Sequence, residues 1–200
     1  MPRYFLLHKP YDVLSQFTRE VPTHRVLGDL YDFPPDVYPV GRLDRDSEGL
    51  LVLTDDTRLN ALLLHPDRKH ARTYWVQVEG NPNEEALNRL RAGVTFRAKK
   101  KTIKAARTQV HRLTTEEQGE ISARQPPVRY RKSIPDTWLA LTLTEGKNRQ
   151  VRRMCAAVGH PVLRLIRHRI EGVSLADLDG QTVRAVPGDW LFDRLRIAAK

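Results

Sequence analysis

A short, continuous apolar run at residues 50–54 (LLVLT) follows directly on a loop of charged residues bracketed by two glycines. An uninterrupted apolar run of this length is typical of a strand buried on both faces. Residues 57–64 then show helical spacing after an aspartate cap, and residues 72–79 (RTYWVQVE) alternate as a half-buried strand does. Strands and helices mix without a regular βαβ rhythm. The sequence therefore predicts an α+β fold on a mixed, mostly antiparallel sheet flanked by helices.

The remaining pattern predicts further strands and helices. We expect strands at residues 4–7, 103–113, 138–144 and 162–167. We expect helices at residues 84–91, 148–158 and 190–197, with residues 114–136 forming a loop that contains Pro126 and Pro127.

Length and cysteine content bound the kind of protein. A chain of 200 residues allows one domain or two small ones. Cys155 is the only cysteine, so a disulfide within the chain and a four-cysteine metal site are excluded. The sequence contains no apolar stretch long enough to cross a membrane, so we expect a soluble, cytoplasmic protein.

Basic residues are segregated along the chain. The formal net charge is +10, and 20 of the 34 basic residues lie in three windows without any acid, at residues 86–115, 121–135 and 146–170. Segregated positive charge is typical of proteins that bind a nucleic acid backbone. An anionic membrane is the alternative partner, but Lys99, Lys100 and Lys101 have no large apolar residues beside them to enter a bilayer.

The glycine-bracketed loop is the first segment that could carry chemistry. Between Gly41 and Gly49 it contains three carboxylates and two arginines: Arg42, Asp44, Arg45, Asp46 and Glu48. A carboxylate at the edge of a rigid strand is well placed to act on a ligand. An ordinary turn, in which aspartate and serine satisfy backbone donors, explains the composition equally well.

The second segment is the predicted helix at residues 148–158. One face carries Val151, Met154, Cys155 and Val158, which we expect in the core, with Cys155 an inert thiol. Arg149, Arg152 and Arg153 share another face, which suits phosphate or carboxylate contact better than plain solvation. His65 and His70 lack a third ligand at a zinc-like spacing, and no phosphate-binding glycine loop occurs. We therefore expect neither a metal nor a cofactor.

Three segments together resemble the RsuA-type ribosomal RNA pseudouridine synthases. They are GRLDRDSEGLLVLTDD at 41–56, RTYWVQVEG at 72–80 and EGKNRQVRRMCAAVGHPVLRLIR at 145–167, and HKPYDVLSQ at 8–16 is similar to the family's first strand and turn. The resemblance implies the pseudouridine synthase catalytic fold with a cleft across the middle of its sheet. It covers the chain as a single catalytic domain, residues 1–200, with room for two subdomains around the cleft. Many family members begin with an S4-type RNA-binding module, and this pattern starts within a few residues of Met1.

The resemblance also implies site residues. It makes Asp44 the catalytic carboxylate, which either attacks C1′ of the ribose or removes a C2′ proton. It makes Arg152 the arginine that pairs with that carboxylate, and Tyr74 the residue whose ring packs on the target base. From the residues alone, Asp44 could not be chosen over Asp46.

The substrate implied is ribosomal RNA, with the 23S rRNA of the large subunit favoured, and neither DNA nor a membrane is expected as a partner. We expect Arg42 to fill the space that the target uridine leaves. We expect Lys147, Arg149 and Arg153 to contact the RNA backbone, and the protein to act as a monomer. The main alternative is an RNA-binding ribosome-assembly factor without catalysis, and a weaker one is a glycosidase-like hydrolase using Asp44 and Glu48.

Overall fold

A computed structural model describes residues 1–98, 101–128 and 133–198. Contacts between Cα atoms divide the chain into two compact units. The first unit comprises Met1–His70 and Ile166–Lys200, and the second comprises Ala71–Leu165. Among the described residues, none of the helices is long and apolar enough to cross a membrane.

Strands and helices follow one another irregularly along the chain. The strands are β1 (Tyr4–Lys9), β2 (Tyr38–Pro39), β3 (Glu48–Thr54), β4 (Arg72–Glu79), β5 (Thr95–Ala98), β6 (Lys101–Lys104), β7 (Gln109–Arg112), β8 (Asp136–Leu143), β9 (Val162–Ile170), β10 (Val173–Ser174) and β11 (Val183–Val186). The α-helices are α1 (Thr57–Leu64), α2 (Glu84–Ala92), α3 (Thr115–Gly119), α4 (Gln150–Ala157) and α5 (Gly188–Arg194).

In the first unit, β3 is the central strand. It pairs antiparallel with β1 and β2, and it runs parallel to β9 where Glu48 and Gly49 face Ile166 and Arg167. All seven of its residues are buried. Leu50 and Val52 enter one apolar cluster, with residues of α1 and α5, while Leu51 and Leu53 enter another, beneath the irregular segment after β1. The prediction of a strand buried on both faces is therefore confirmed.

In the second unit, β4 and β7 both pair antiparallel with β8. Helices α2 and α4 contribute Leu87, Leu90, Val151 and Met154 to one apolar cluster with the strands. Asn83 caps α2 by accepting a hydrogen bond from the Ala86 N–H, as its position in the sequence predicts. The two units together confirm the α+β class and the mostly antiparallel pairing.

Three predicted elements differ from the structure. Residues 103–113 form two strands, because β6 pairs with β5 in a hairpin whereas β7 pairs with β8. The predicted loop at 114–136 contains α3, which begins with reciprocal hydrogen bonds between Thr114 and Glu117. The last helix, α5, begins at Gly188, earlier than predicted, and ends before Arg196, whose φ is +56°.

Gly49 is the residue that lets β3 approach β9 closely. Its φ is +110°, and a Cβ atom placed on it would lie 2.4 Å from the Arg167 carbonyl oxygen. The atoms that such a Cβ would meet are the backbone of Arg167 in the interior of the sheet, where neither strand can move away cheaply. Gly146, by contrast, has no heavy atom within 4 Å of such a Cβ.

We expect Gly49→Ala to lower the free energy of unfolding by about 3 kcal/mol, from a strained φ together with overpacking. Gly146→Ala, the matched control, should change it by no more than about 0.5 kcal/mol. Urea denaturation of the two variants and the wild type checks this. Equal stabilities would mean that the sheet accepts a side chain at position 49.

Candidate functional site

The loop that carries Asp44 is held by hydrogen bonds on both sides of that residue. On one side, the buried Ser15 hydroxyl accepts from the Leu43 N–H at 3.0 Å and donates to the Leu43 carbonyl at 2.9 Å. On the other side, the Ser47 N–H donates to the Asp44 carbonyl at 3.0 Å. The backbone of Asp44 is therefore fixed, while its side chain is partly exposed to solvent.

Beneath this loop lies Lys9, a fully buried lysine. Its Nζ donates to the carbonyls of Val13 at 2.7 Å, Pro10 at 2.9 Å and Arg45 at 3.5 Å. Each of the three N–H donors of the ammonium therefore has a carbonyl acceptor. Because Arg45 directly follows Asp44, this lysine ties the loop to the chain after β1.

Burial lowers the pKa of Lys9 to about 8, because the charged ammonium has lost its water. The carboxylates of Glu48, Asp46, Asp12 and Asp44 act in the opposite direction and favour the charged form. Lys9 is not among the site residues that the sequence predicts. Its position in HKP before a turn was the available signal, but spacing alone does not reveal a buried ammonium.

Arg45 and Arg42 lie on either side of Leu43 and Asp44 and differ in their contacts. Arg45 Nε donates to Asp12 Oδ1 at 2.6 Å, and the Asp12 N–H donates back to the Arg45 carbonyl at 2.9 Å. Arg42 is exposed and donates to the Gln16 side-chain oxygen at 2.7 Å. Arg42 is thus the exposed arginine of this loop, whereas Arg45 is partly buried.

In the second unit, Tyr74 lies on β4 opposite Leu141 of β8. Its side chain is half-buried and packs against the apolar cluster of that unit. The ring is therefore supported by the core on one side and accessible in part, which fits a residue that stacks on a base.

Glu145 organises the segment that leads into α4. It accepts hydrogen bonds from the Ala106 N–H at 2.9 Å, from Gln150 Nε2 and from Lys147 Nζ. Burial acts to raise the pKa of Glu145, but hydrogen bonds from Lys147, Ala106 and Gln150 outweigh it and lower the pKa. Lys147 therefore contributes less net positive charge than its place in a basic segment suggests.

The predicted face of three arginines on this helix is wrong. Helix α4 begins at Gln150, because the Gln150 side chain accepts from the Lys147 N–H and its own N–H bonds to the Lys147 carbonyl, closing a turn. Arg149 lies outside the helix with φ +51° and ψ +34°. Arg152 and Arg153 are in the helix, and Arg153 donates to the Asn148 side chain at 3.1 Å.

The apolar face of α4 is as predicted. Val151, Met154, Cys155 and Val158 are all buried. Burial raises the pKa of Cys155 to about 12, so its thiol stays protonated and unreactive. Within residues 1–98, 101–128 and 133–198, no group of three or more histidines, cysteines or carboxylates could hold a metal ion.

The predicted site residues are divided between the units. Asp44 and Arg42 belong to the first, whereas Tyr74, Lys147, Arg149, Arg152 and Arg153 belong to the second. Several residues of the predicted basic windows lie outside the described residues: Lys99, Lys100, Arg129, Arg131 and Lys132.

Known proteins are similar to this chain over most of its length. Residues 3–157 match the family described as RNA pseudouridylate synthase. A protein of Xanthomonas axonopodis pv. citri, named ribosomal large subunit pseudouridine synthase E, is 50% identical over 95% of this chain and 88% of its own. A Vibrio parahaemolyticus protein of the same name is 46% identical over 94% of this chain and 72% of its own.

A crystal structure of a pseudouridylate synthase shares the fold. It superposes with a TM-score of 0.76 at 24% sequence identity, covering 98% of this chain and 74% of its own. The resemblance seen in the three sequence segments is confirmed by the family match over residues 3–157 and by the two named relatives.

The buried ammonium of Lys9 predicts a pH effect on stability. Its folded pKa of about 8 lies below the ordinary value of 10.5, so the unfolded chain binds more protons between those two values. The stability of the wild type relative to Lys9→Met should therefore rise by about 2 to 3 kcal/mol from pH 7 to pH 10. Other titrating groups cancel in this difference, which urea denaturation measures. A difference that does not change with pH would contradict the buried charge.

Proposed function

Because the chain belongs to the RNA pseudouridylate synthase family, we propose that it converts uridine to pseudouridine in the 23S rRNA of the large ribosomal subunit. The observation that carries this proposal is 46–50% identity, over most of the chain, to proteins named as large-subunit pseudouridine synthase E. The acid-free, arginine-rich segments supply the positive charge that an RNA substrate needs.

The reaction is an isomerisation in which atoms and electrons balance without an oxidant or reductant. The bond between N1 of uracil and C1′ of the ribose breaks, the base turns over, and a bond forms between C5 and C1′. C5 then loses its proton, and N1 carries one in the product. The chain needs only groups that act on the sugar, hold the base and move a proton.

Asp44 is the proposed catalytic residue. An ionised carboxylate can attack C1′ or remove the C2′ proton, and both routes need it held at a fixed place beside the sugar. Two contacts supply that rigidity. The Ser15 hydroxyl hydrogen-bonds to the Leu43 backbone, and the Lys9 ammonium donates to the Arg45 carbonyl. Lys9 and its hydrogen bonds therefore position the loop and do not touch the substrate.

Tyr74 and Arg152 take the roles that the family resemblance gives them. Tyr74 stacks on the target base, and its core-supported ring keeps that contact rigid. Its hydroxyl oxygen is the proposed acceptor of the C5 proton and releases its own proton to water in the same step, so that the phenol stays neutral. Arg152 is the proposed partner of the catalytic carboxylate.

The target uridine has to leave its stack, which costs a few kcal/mol. We assign Arg42 to the vacated space, since this residue is exposed and lies two positions before Asp44. Lys147, Arg149 and Arg153 are the proposed phosphate contacts, with Arg149 the most accessible because it projects from the turn before α4. We further propose that the protein acts as a monomer in the cytoplasm, where ribosomal RNA is modified.

We expect Asp44→Asn to reduce isomerisation at least 1,000-fold (an order-of-magnitude expectation of ~4 kcal/mol in the barrier). RNA affinity should stay within about tenfold, or ~1.4 kcal/mol. Asp46→Asn removes a neighbouring carboxylate from the same loop and should keep activity within about threefold. Tritium release from C5-labelled uridine in 23S rRNA measures turnover.

Wild-type turnover by Asp44→Asn would remove it from the reaction. Tight RNA binding by the wild type with no tritium release from any ribosomal RNA would instead identify a non-catalytic assembly factor.

A further inference from the structure

We propose that a pocket at the carboxyl end of α4, here called the α4 pocket, binds one unpaired nucleotide of the RNA, away from the uridine that is isomerised. The proposal rests on the proposed function, because it assumes an RNA substrate. The pocket lies wholly within the second unit and has a volume of about 350 Å³. That volume is at the lower end of the range of small-molecule sites, about 300–1,000 Å³.

Two apolar and five polar residues line the α4 pocket. Ala86 of α2 and Val158, just after α4, are buried and form the apolar part of the lining. Asn81, Asn83, Arg89 and His160 supply polar groups. Polar residues outnumber apolar ones in this lining, so the site suits a small ligand that is recognised mainly by hydrogen bonds and charge.

The two asparagine side chains offer NH₂ donors to a ligand, because their oxygens already accept hydrogen bonds within the protein. Asn81 Oδ1 accepts from Arg112 Nη1 at 3.0 Å, and Asn83 Oδ1 accepts from the Ala86 N–H at 2.9 Å. Each side chain is therefore fixed by a bond within the protein, and its NH₂ group is left to donate. Carbonyl and ring-nitrogen acceptors on the edge of a nucleobase match such donors.

Arg89 and His160 add a cation and an acceptor. Arg89 Nη2 donates to the Ala157 carbonyl at 3.3 Å, which leaves other N–H groups of the guanidinium for a phosphate oxygen. His160 Nδ1 lies 2.8 Å from the Glu79 carbonyl, which can only accept, so Nδ1 carries the proton. In the neutral ring, Nε2 is then an acceptor.

Glu85 also lines the α4 pocket, and its carboxylate decides between ligand classes. A bare phosphate would be repelled by it. A ribonucleotide carries hydroxyl and amino donors for Glu85 and His160 Nε2, acceptors for the asparagines, and a phosphate for Arg89. The set of groups therefore fits a nucleotide better than an inorganic anion.

The α4 pocket is separate from the proposed catalytic residues of the same unit. Val158 lies six residues after Arg152, about 9 Å along a helix axis. Gly80, just beyond β4, lies six residues after Tyr74, about 20 Å along a strand. A nucleotide in the pocket is therefore not the target uridine.

Three single substitutions test the proposal, each adding one negative charge while keeping the bond that fixes the side chain. Asn81→Asp still accepts from Arg112, and Asn83→Asp still caps α2, since aspartate is as good a cap as asparagine. Both replace pocket donors with acceptors. The matched control is Asn88→Asp on α2, whose oxygen accepts from Arg91 at 2.7 Å and which does not line the pocket.

We expect Asn81→Asp and Asn83→Asp each to raise the Kd for a 23S rRNA fragment about tenfold, measured by fluorescence anisotropy. Asn88→Asp should stay within about twofold of the wild type. Single-turnover tritium release at saturating protein should be unchanged in all three. If one pocket variant fails to fold, the other decides.

Equal weakening by Asn88→Asp, or no weakening by either pocket variant, would overturn the proposal. Titration of the four nucleoside 5′-monophosphates separates RNA from a free nucleotide. Binding of a monophosphate that Asn83→Asp abolishes, with RNA affinity unchanged, would make this a small-molecule site and contradict us. Absence of tritium release by the wild type would refute the proposed function alone, because the affinity comparison does not depend on turnover.

Discussion

Burial of β3 on both faces is the constraint on which the first unit depends. Its leucines and valine alternate between two apolar clusters, so a shift of one residue in register would exchange every side chain between them. At the start of the strand, the backbone of Arg167 lies so close to Gly49 that no side chain fits at position 49. The point at which the preceding loop joins β3 is therefore fixed, and Asp44 lies only five residues before Gly49.

A fixed junction with β3 does not by itself fix the conformation of the loop. Hydrogen bonds from polar groups hold the rest of it in place. A hydroxyl, an ammonium and one backbone bond hold residues 43–45 to the chain that follows β1, and a second backbone bond closes the turn from Asp44 to Ser47. Burying an ammonium costs free energy, which the lowered pKa of Lys9 reflects. The nearby carboxylates of the loop reduce that cost. A carboxylate held this rigidly suits a reaction that requires it at one place beside a ribose.

Sequence patterns predict the elements that depend on local periodicity. The alternation in β4, the apolar run in β3 and the capped helices α1 and α2 all appear where the sequence predicts them, because burial and capping leave a mark at each residue. Residues 103–113 are predicted less well, since a change of strand partner leaves no periodic signal. The capping box of α3 was readable in Thr114 and Glu117, but the prolines that follow obscured it.

The site is predictable only in part, because only features that depend on local spacing leave a signal in the sequence. The apolar face of α4 follows from spacing, but the start of the helix depends on Gln150 and Glu145 side chains, which put Arg149 outside it. Lys9 and the α4 pocket depend on which oxygens are already occupied, and that is visible only in three dimensions. The choice of Asp44 over Asp46 came from family resemblance, not from residue chemistry.

The central claim is that this chain modifies uridine in large-subunit ribosomal RNA, and mapping pseudouridines in a strain that lacks it tests the claim most directly. Ribosomal RNA from the deletion strain and from its complemented derivative would be compared at every uridine. We expect pseudouridine to disappear from a specific site in 23S rRNA and to return on complementation. An unchanged 23S pattern, or a loss confined to small-subunit RNA, would contradict the account.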